Sequence, residues 1–246
     1  MKEFVKSLPL SNGCEVLAFD ECGLVAIGKR EGRATHPNPN PSANAKPAML
    51  RAEYDFDGEF YRWGGGQKLF LVNRLDSPTS GVVIAARDEA VALAARAAFK
   101  NKAVEKEYVA ICVGVAAPRG TWVDRLRPHR EGRVVRTSSE SGGLPAKTDF
   151  ARLRVAGGLS VLRLIPRTGL THQLRVQCAK HGLPILGDAT YGNFAFNKKF
   201  RASSKLNRLF LHCLKTRLSV EIGGRTVEFR AEAPLPDSFE KAVSKK

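Results

Sequence analysis

The sequence predicts an α+β fold: a mostly antiparallel mixed central sheet with flanking helices and loops. Three observations predict it. Short β-rich runs recur in pairs joined by turn residues, at 16–19 with 24–27, 150–155 with 159–165, and 217–222 with 226–231. Few helical stretches fall between strands, which argues against alternating βα units. The 43% apolar and 26% charged content of 246 residues is that of an ordinary globular chain with a sizeable core.

The elements follow in order. Residues 1–12 read as a loose arm. Asp20-Glu21-Cys22-Gly23 turns the first hairpin. His36-Pro37-Asn38-Pro39-Asn40-Pro41 opens a loop running to about 47, where proline forbids helix or central strand. Residues 49–54 read as a short helix, and Gly64-Gly65-Gly66 as a stop. Two apolar runs, 69–72 and 82–86, then flank a polar nonapeptide, Asn73-Arg74-Leu75-Asp76-Ser77-Pro78-Thr79-Ser80-Gly81: strand, tight turn, strand. Asp88 is placed to cap an alanine-rich helix over 90–100. Residues 107–115 form a strand beginning near Tyr108, and 121–148 read as surface hairpins.

A second informative stretch covers 167–182. Thr171 is read as the N-cap of a helix that Gly182 ends, with His172 and Arg175 three apart on one face. Residues 183–186 read as a strand and 187–192 as a turn. Strands at 208–214, 217–222 and 226–231 and a short helix over 236–243 close the chain.

Charge points to a polyanionic partner. Forty Lys and Arg face 24 Asp and Glu, a formal net charge of +16. The excess is local: Arg125, Arg127, Arg130, Arg133 and Arg136 cluster, and 198–217 carries seven basic residues and no acid. Nucleic acid is the expected partner. No stretch approaches the ~20 apolar residues of a membrane span, and no secretion signal opens the chain, so a cytoplasmic protein without a membrane partner is expected. The five cysteines (Cys14, Cys22, Cys112, Cys178, Cys213) show no metal-ligand spacing, so neither metal nor disulfide is expected.

Few polar residues sit where chemistry needs them. There is no nucleophile elbow, P-loop, dinucleotide fingerprint or metal-binding helix. Arg74 and Asp76 remain, in a rigid turn, with Tyr108 at a strand start and His172 and Arg175 on one helix face. An aspartate beside an arginine stays ionised and can act as nucleophile or base without a metal. On spacing alone, an Arg74–Asp76 pair that merely staples the turn is the commoner arrangement.

The nonapeptide resembles the His-Arg-Leu-Asp-x-x-Thr-Ser-Gly signature of the RluA-type RNA pseudouridine synthases. The resemblance continues through the opening hairpin (Phe19-Asp20, Lys29, His36-Pro37), Lys106-Glu107-Tyr108, Thr168-Gly169 to Arg175, Gly187-Asp188 to Gly192, and Ala233-Pro234-Leu235-Pro236, covering about 14–240. It implies the pseudouridine synthase fold as one catalytic domain over 1–246, with loop and hairpin insertions at 36–66 and 118–148. It implies an isomerase that converts uridine in rRNA or tRNA to pseudouridine: the N1–C1′ bond breaks, the uracil turns, and C5 bonds to C1′. No cofactor is implied, and a monomer is expected. By the resemblance Asp76 is the essential catalytic residue, Tyr108 packs on the target base, and Arg175 pairs with the aspartate. Arg74 holds the base flipped out and His172 binds substrate. The chain resembles a short form without the N-terminal S4-like RNA-binding domain of many relatives.

The departures are Asn73 for the motif histidine, Leu170 for an arginine, Gln177 for a later histidine, and Lys29-Arg30 for Lys-Pro. Arg167 is a candidate substitute for the guanidinium missing at 170. The rival reading is a non-catalytic RNA-binding or RNA-folding protein on the same scaffold. Such a protein has no reason to retain Asp76, Tyr108 and Arg175 together.

Overall fold

The computed structural model describes residues 1–39, 46–131, 134–139 and 141–244. In chain order the elements are α1 (Lys2–Lys6), β1 (Glu15–Phe19), β2 (Leu24–Lys29), β3 (Glu53–Asp55), β4 (Phe60–Trp63), β5 (Gln67–Leu71), β6 (Ser80–Ala86), α2 (Glu89–Lys100), β7 (Val104–Val113), β8 (Arg119–Glu131), β9 (Val134–Ser139), β10 (Leu144–Ala156), β11 (Leu159–Pro166), α3 (Gln173–Lys180), α4 (Phe194–Ser204), β12 (Leu211–Ile222), β13 (Arg225–Glu232) and α5 (Asp237–Ser244). The α+β class holds, and the hairpin pairings are antiparallel. The residues gather into two compact units, Met1–Glu105 with Cys213–Pro234, and Lys106–His212 with Leu235–Lys246.

In the first unit β6 is the organising strand. All its residues are buried, as are those of β2, which pairs with it from Leu24 opposite Ala86 to Lys29 opposite Gly81. Such uninterrupted burial marks strands covered on both faces. β5 joins β6 at Phe70–Ala86 and Leu71–Ala85, and β4 and β3 extend the sheet outward. Gly81 has φ +117° and lies against the main chain of Cys213, so any Cβ there would overlap backbone. The amphipathic α2 buries Val91, Ala92, Ala95 and Ala98.

In the second unit the strands run in the order β7-β11-β10-β8-β9. Alternation along β8 buries Trp122, Asp124 and Leu126 and exposes Val123, Arg125 and Arg127. Leu126 and Ala146 pack with Val176 of α3, and Leu170 and Tyr191 rest against them.

Several local expectations are corrected. The arm at 1–12 contains α1, anchored by buried Phe4 and Leu8, with Phe4 against Trp63 at 5.6 Å. The segment 49–54 is not helical: Leu50 bridges Leu10, and Glu53 and Tyr54 open β3. Its backbone bonds to both sides, with Met49 N donating to Ala34 O, Ser11 N to Met49 O, and Arg51 N to Pro9 O. The 183–186 run makes only an isolated bridge, Ile185 with Cys112. The strands read at 208–214 and 217–222 are one, β12, because Lys215 and Thr216 stay in register with Glu232 and Ala231. α4 has no sequence-level counterpart. Asn40, Pro41, Arg133 and the side chain of Arg130 lie outside the described residues.

Candidate active site

The nonapeptide leaves β5 and enters β6 with its backbone held from three directions. Val72 N donates to Ile84 O (3.0 Å), and Asn73 Oδ1 accepts from Ile84 N (2.7 Å). The residue that breaks the family pattern therefore prolongs the β5–β6 ladder with its side chain. Thr35 Oγ1 accepts from Leu75 N (3.1 Å) and donates to Leu75 O (2.8 Å), while Thr35 O accepts from the Tyr61 hydroxyl (2.7 Å). Third, Lys29 Nζ donates to the carbonyls of Arg33 (2.7 Å), Ser77 (3.1 Å) and Arg30 (3.2 Å), and Gly32 N also reaches Ser77 O (2.9 Å).

Lys29 is 2% exposed. Burial lowers its pKa to about 7, against the opposing pull of Cys14, Asp76 and Glu31. Inside this frame Thr79 N donates to Asp76 O (2.9 Å), closing the turn under a half-buried Asp76. Arg74 is exposed and reaches His36, Nη1 to Nε2 at 3.4 Å.

Tyr108, His172 and Arg175 belong to the second unit. Tyr108 lies inside β7, not at its start, buried and opposite Leu164. The N-cap of α3 is His172, not Thr171, with left-handed φ 56°. Gln173, the first helical residue, turns its side chain back to the preceding loop: its Oε1 accepts from Leu170 N (3.1 Å) and Thr168 Oγ1 (2.8 Å), and no side chain caps the helix. His172 Nδ1 shares a 2.9 Å hydrogen bond with the Tyr191 hydroxyl, to which Thr137 N also donates (2.9 Å).

Arg175 is 5% exposed and binds Asp188 with both arms of its fork, Nε to Oδ2 at 2.7 Å and Nη2 to Oδ1 at 2.9 Å. Its guanidinium stands 5.1 Å from the centre of the Tyr191 ring. Burial alone would push the Asp188 carboxyl up. The Arg175 hydrogen bonds and charge, with the N–H groups of Tyr191 and Thr190, more than reverse this and hold it below its ordinary value.

The departures on α3 are also built in. Gln177 accepts from Thr148 Oγ1 (2.6 Å) and donates to Asp124 Oδ2 (2.8 Å) and Ala146 O (3.2 Å). Leu170 serves packing. Arg167 is engaged by Asp149 at 2.7 Å.

The family resemblance includes Lys29, Asp188 and Tyr191, but sequence reasoning assigned none of the three a role at the site. Their signals were faint: an acid between turn glycines, and a lysine ending an apolar strand. Among the described residues no group of three His, Cys, Asp or Glu is placed to hold a metal, and no helix is long and apolar enough to cross a membrane.

Residues 23–180 match the family model described as RNA pseudouridylate synthase, and the chain belongs to that family. The protein is accordingly an RNA pseudouridine synthase, an isomerase that converts uridine to pseudouridine in RNA. It is 28% identical over 244 residues to ribosomal large subunit pseudouridine synthase C of Escherichia coli O157:H7, covering 94% of this chain and 70% of the relative. The synthase C of Rickettsia bellii is 30% identical over 230 residues, covering 92% and 70%. Among solved structures, human RNA pseudouridylate synthase domain containing 1 superposes with a TM-score of 0.67 at 27% identity, covering 94% of this chain and 87% of that one. The binding-only reading is thereby set aside.

Proposed function

We propose that the synthase modifies uridine in ribosomal RNA, with Asp76 as the essential catalytic residue. The observation that carries the role of Asp76 is the three-sided anchoring of its turn by Asn73, Thr35 and Lys29. A carboxylate on so fixed a backbone needs little reorganisation at the moment of reaction. Tyr108 serves the target base, Arg175 acts in the same reaction, and Arg74 and His172 bind substrate, Arg74 with the base out of its stack. The ribosomal target follows from the relatives, which are ribosomal large subunit pseudouridine synthases. Exposed Arg125 and Arg127 on β8 offer phosphate contacts that position RNA without reading its sequence. Residues 1–246 act as one catalytic domain, as a cytoplasmic monomer.

The test uses transcripts of rRNA and tRNA carrying tritium at C5 of uridine. C5 gives up its hydrogen when it bonds to C1′, so turnover is read as tritium released to water. Release from rRNA alone is expected. Release only from tRNA overturns the ribosomal assignment, and release from neither overturns the reading as a whole.

A further inference from the structure

The segment between the first hairpin and β5 carries an aromatic cluster that the catalytic reading leaves unused. Tyr54 of β3 stacks on His36 (5.2 Å, 16°), meets Phe56 edge-on (5.0 Å, 80°) and rests against buried Tyr61 (4.9 Å, 66°). Phe56 also stands edge-on to His36 (6.1 Å) and is 43% exposed. A lone exposed Phe needs no explanation. This one crowns a group of four rings.

The cluster is tied to the catalytic turn by hydrogen bonds. The Tyr61 hydroxyl donates to Thr35 O, and Thr35 Oγ1 grips Leu75, the neighbour of Asp76. His36 Nδ1 lies 2.8 Å from the Pro37 carbonyl oxygen, which only accepts, so Nδ1 carries the ring hydrogen. Nε2 then presents its lone pair to Arg74 Nη1. An exposed arginine is thus steered to the edge of an aromatic platform, two residues from Asp76. Glu53 and Asp55 alternate with Tyr54 along β3, so they project from the opposite face.

Aromatic faces beside an arginine suit one ligand chemistry above others in a chain of net charge +16: an unpaired nucleobase on a phosphate backbone. We propose that His36, Tyr54 and Phe56 form a stacking subsite for a nucleobase flanking the target uridine, with Arg74 holding the strand between that base and Asp76. This rests on the reading of Asp76 as the catalytic residue.

The experiment compares wild type with Phe56→Leu and Phe56→Tyr on the tritiated rRNA transcript. Phe56→Leu keeps an apolar side chain of similar bulk and removes the π face. It should raise KM roughly fivefold or more, leave kcat unchanged, lower the thermal midpoint only slightly through the lost edge-on ring contacts, and leave the salt dependence of binding unchanged because no charge is lost. Phe56→Tyr should restore the wild-type KM. A wild-type KM for Phe56→Leu, or equal weakness of both variants, overturns the subsite. Turnover by Asp76→Asn overturns the catalytic reading beneath it and is scored separately, whatever the Phe56 variants do.

Discussion

Replacing Asp188 by Asn tests how the second unit holds its buried arginine. The wild-type carboxylate takes Arg175 Nε at 2.7 Å, Arg175 Nη2 at 2.9 Å, Thr190 N at 2.8 Å and Tyr191 N at 3.0 Å, with Asp188 itself 1% exposed. Asparagine keeps the shape and one oxygen. Its amide nitrogen, however, must face either an arginine N–H or the turn, and the negative charge is gone. A charge-assisted bond is worth roughly 1.5–3 kcal/mol, and removing one partner of a buried pair costs roughly 3–5 kcal/mol. Because one oxygen survives, the expected loss is roughly 2–4 kcal/mol.

Urea unfolding at pH 7 measures that loss. The acid limb gives a second readout. A carboxyl held below its ordinary value contributes stability that is present above about pH 4 and lost as pH falls through the folded-state value. The deficit of Asp188→Asn should therefore shrink on acidification. A loss below about 0.5 kcal/mol, or a deficit that stays constant to low pH, would refute the reasoning.

Three further substitutions act on the first unit. Lys29→Met removes the donor to three carbonyls and should cost roughly 2–3 kcal/mol by urea unfolding at pH 7. Lys29 titrates near 7 when folded and near its ordinary 10.5 when unfolded, so between those values the unfolded chain holds the extra proton and wild-type stability rises with pH. The deficit of Lys29→Met should accordingly widen between pH 7 and 9, and a narrowing deficit would contradict the buried-lysine account. Gly81→Ala places a Cβ on the Cys213 main chain at φ +117° and should cost roughly 3 kcal/mol or more. Gly32→Ala, at φ +78° with open space around it, should cost only about 1 kcal/mol. Equal thermal midpoints for the two would remove the close approach from the explanation.

What was legible in the sequence is what short-range chemistry decides. The helix over 90–100 is there because alanines carry high propensity and Val91, Ala92 and Ala95 repeat on one face. The hairpins at 15–29, 144–166 and 211–232 follow from turn residues between β-rich runs. The nonapeptide turn was legible as a turn, and the family resemblance singled out its aspartate.

What was not legible depends on partners far along the chain. Lys29 meets Ser77 across 48 positions, so nothing near it announces a buried ammonium. α1 depends on Phe4 reaching Trp63. Asn73 looked like a defect in the motif, yet its side chain accepts the Ile84 N–H that a continued strand would have satisfied. The helix starts one residue later than Thr171 suggests: His172 takes the cap position in a left-handed conformation, and its ring is held by Tyr191, 19 positions away.

The central claim is that Asp76 carries the isomerisation. It is tested most directly by tritium release from 5-tritiated uridine in rRNA, with wild type and Asp76→Asn assayed beside RNA binding. The account predicts release by wild type, no detectable release by Asp76→Asn, and nearly equal RNA affinity for the two. Continued release by Asp76→Asn would contradict it.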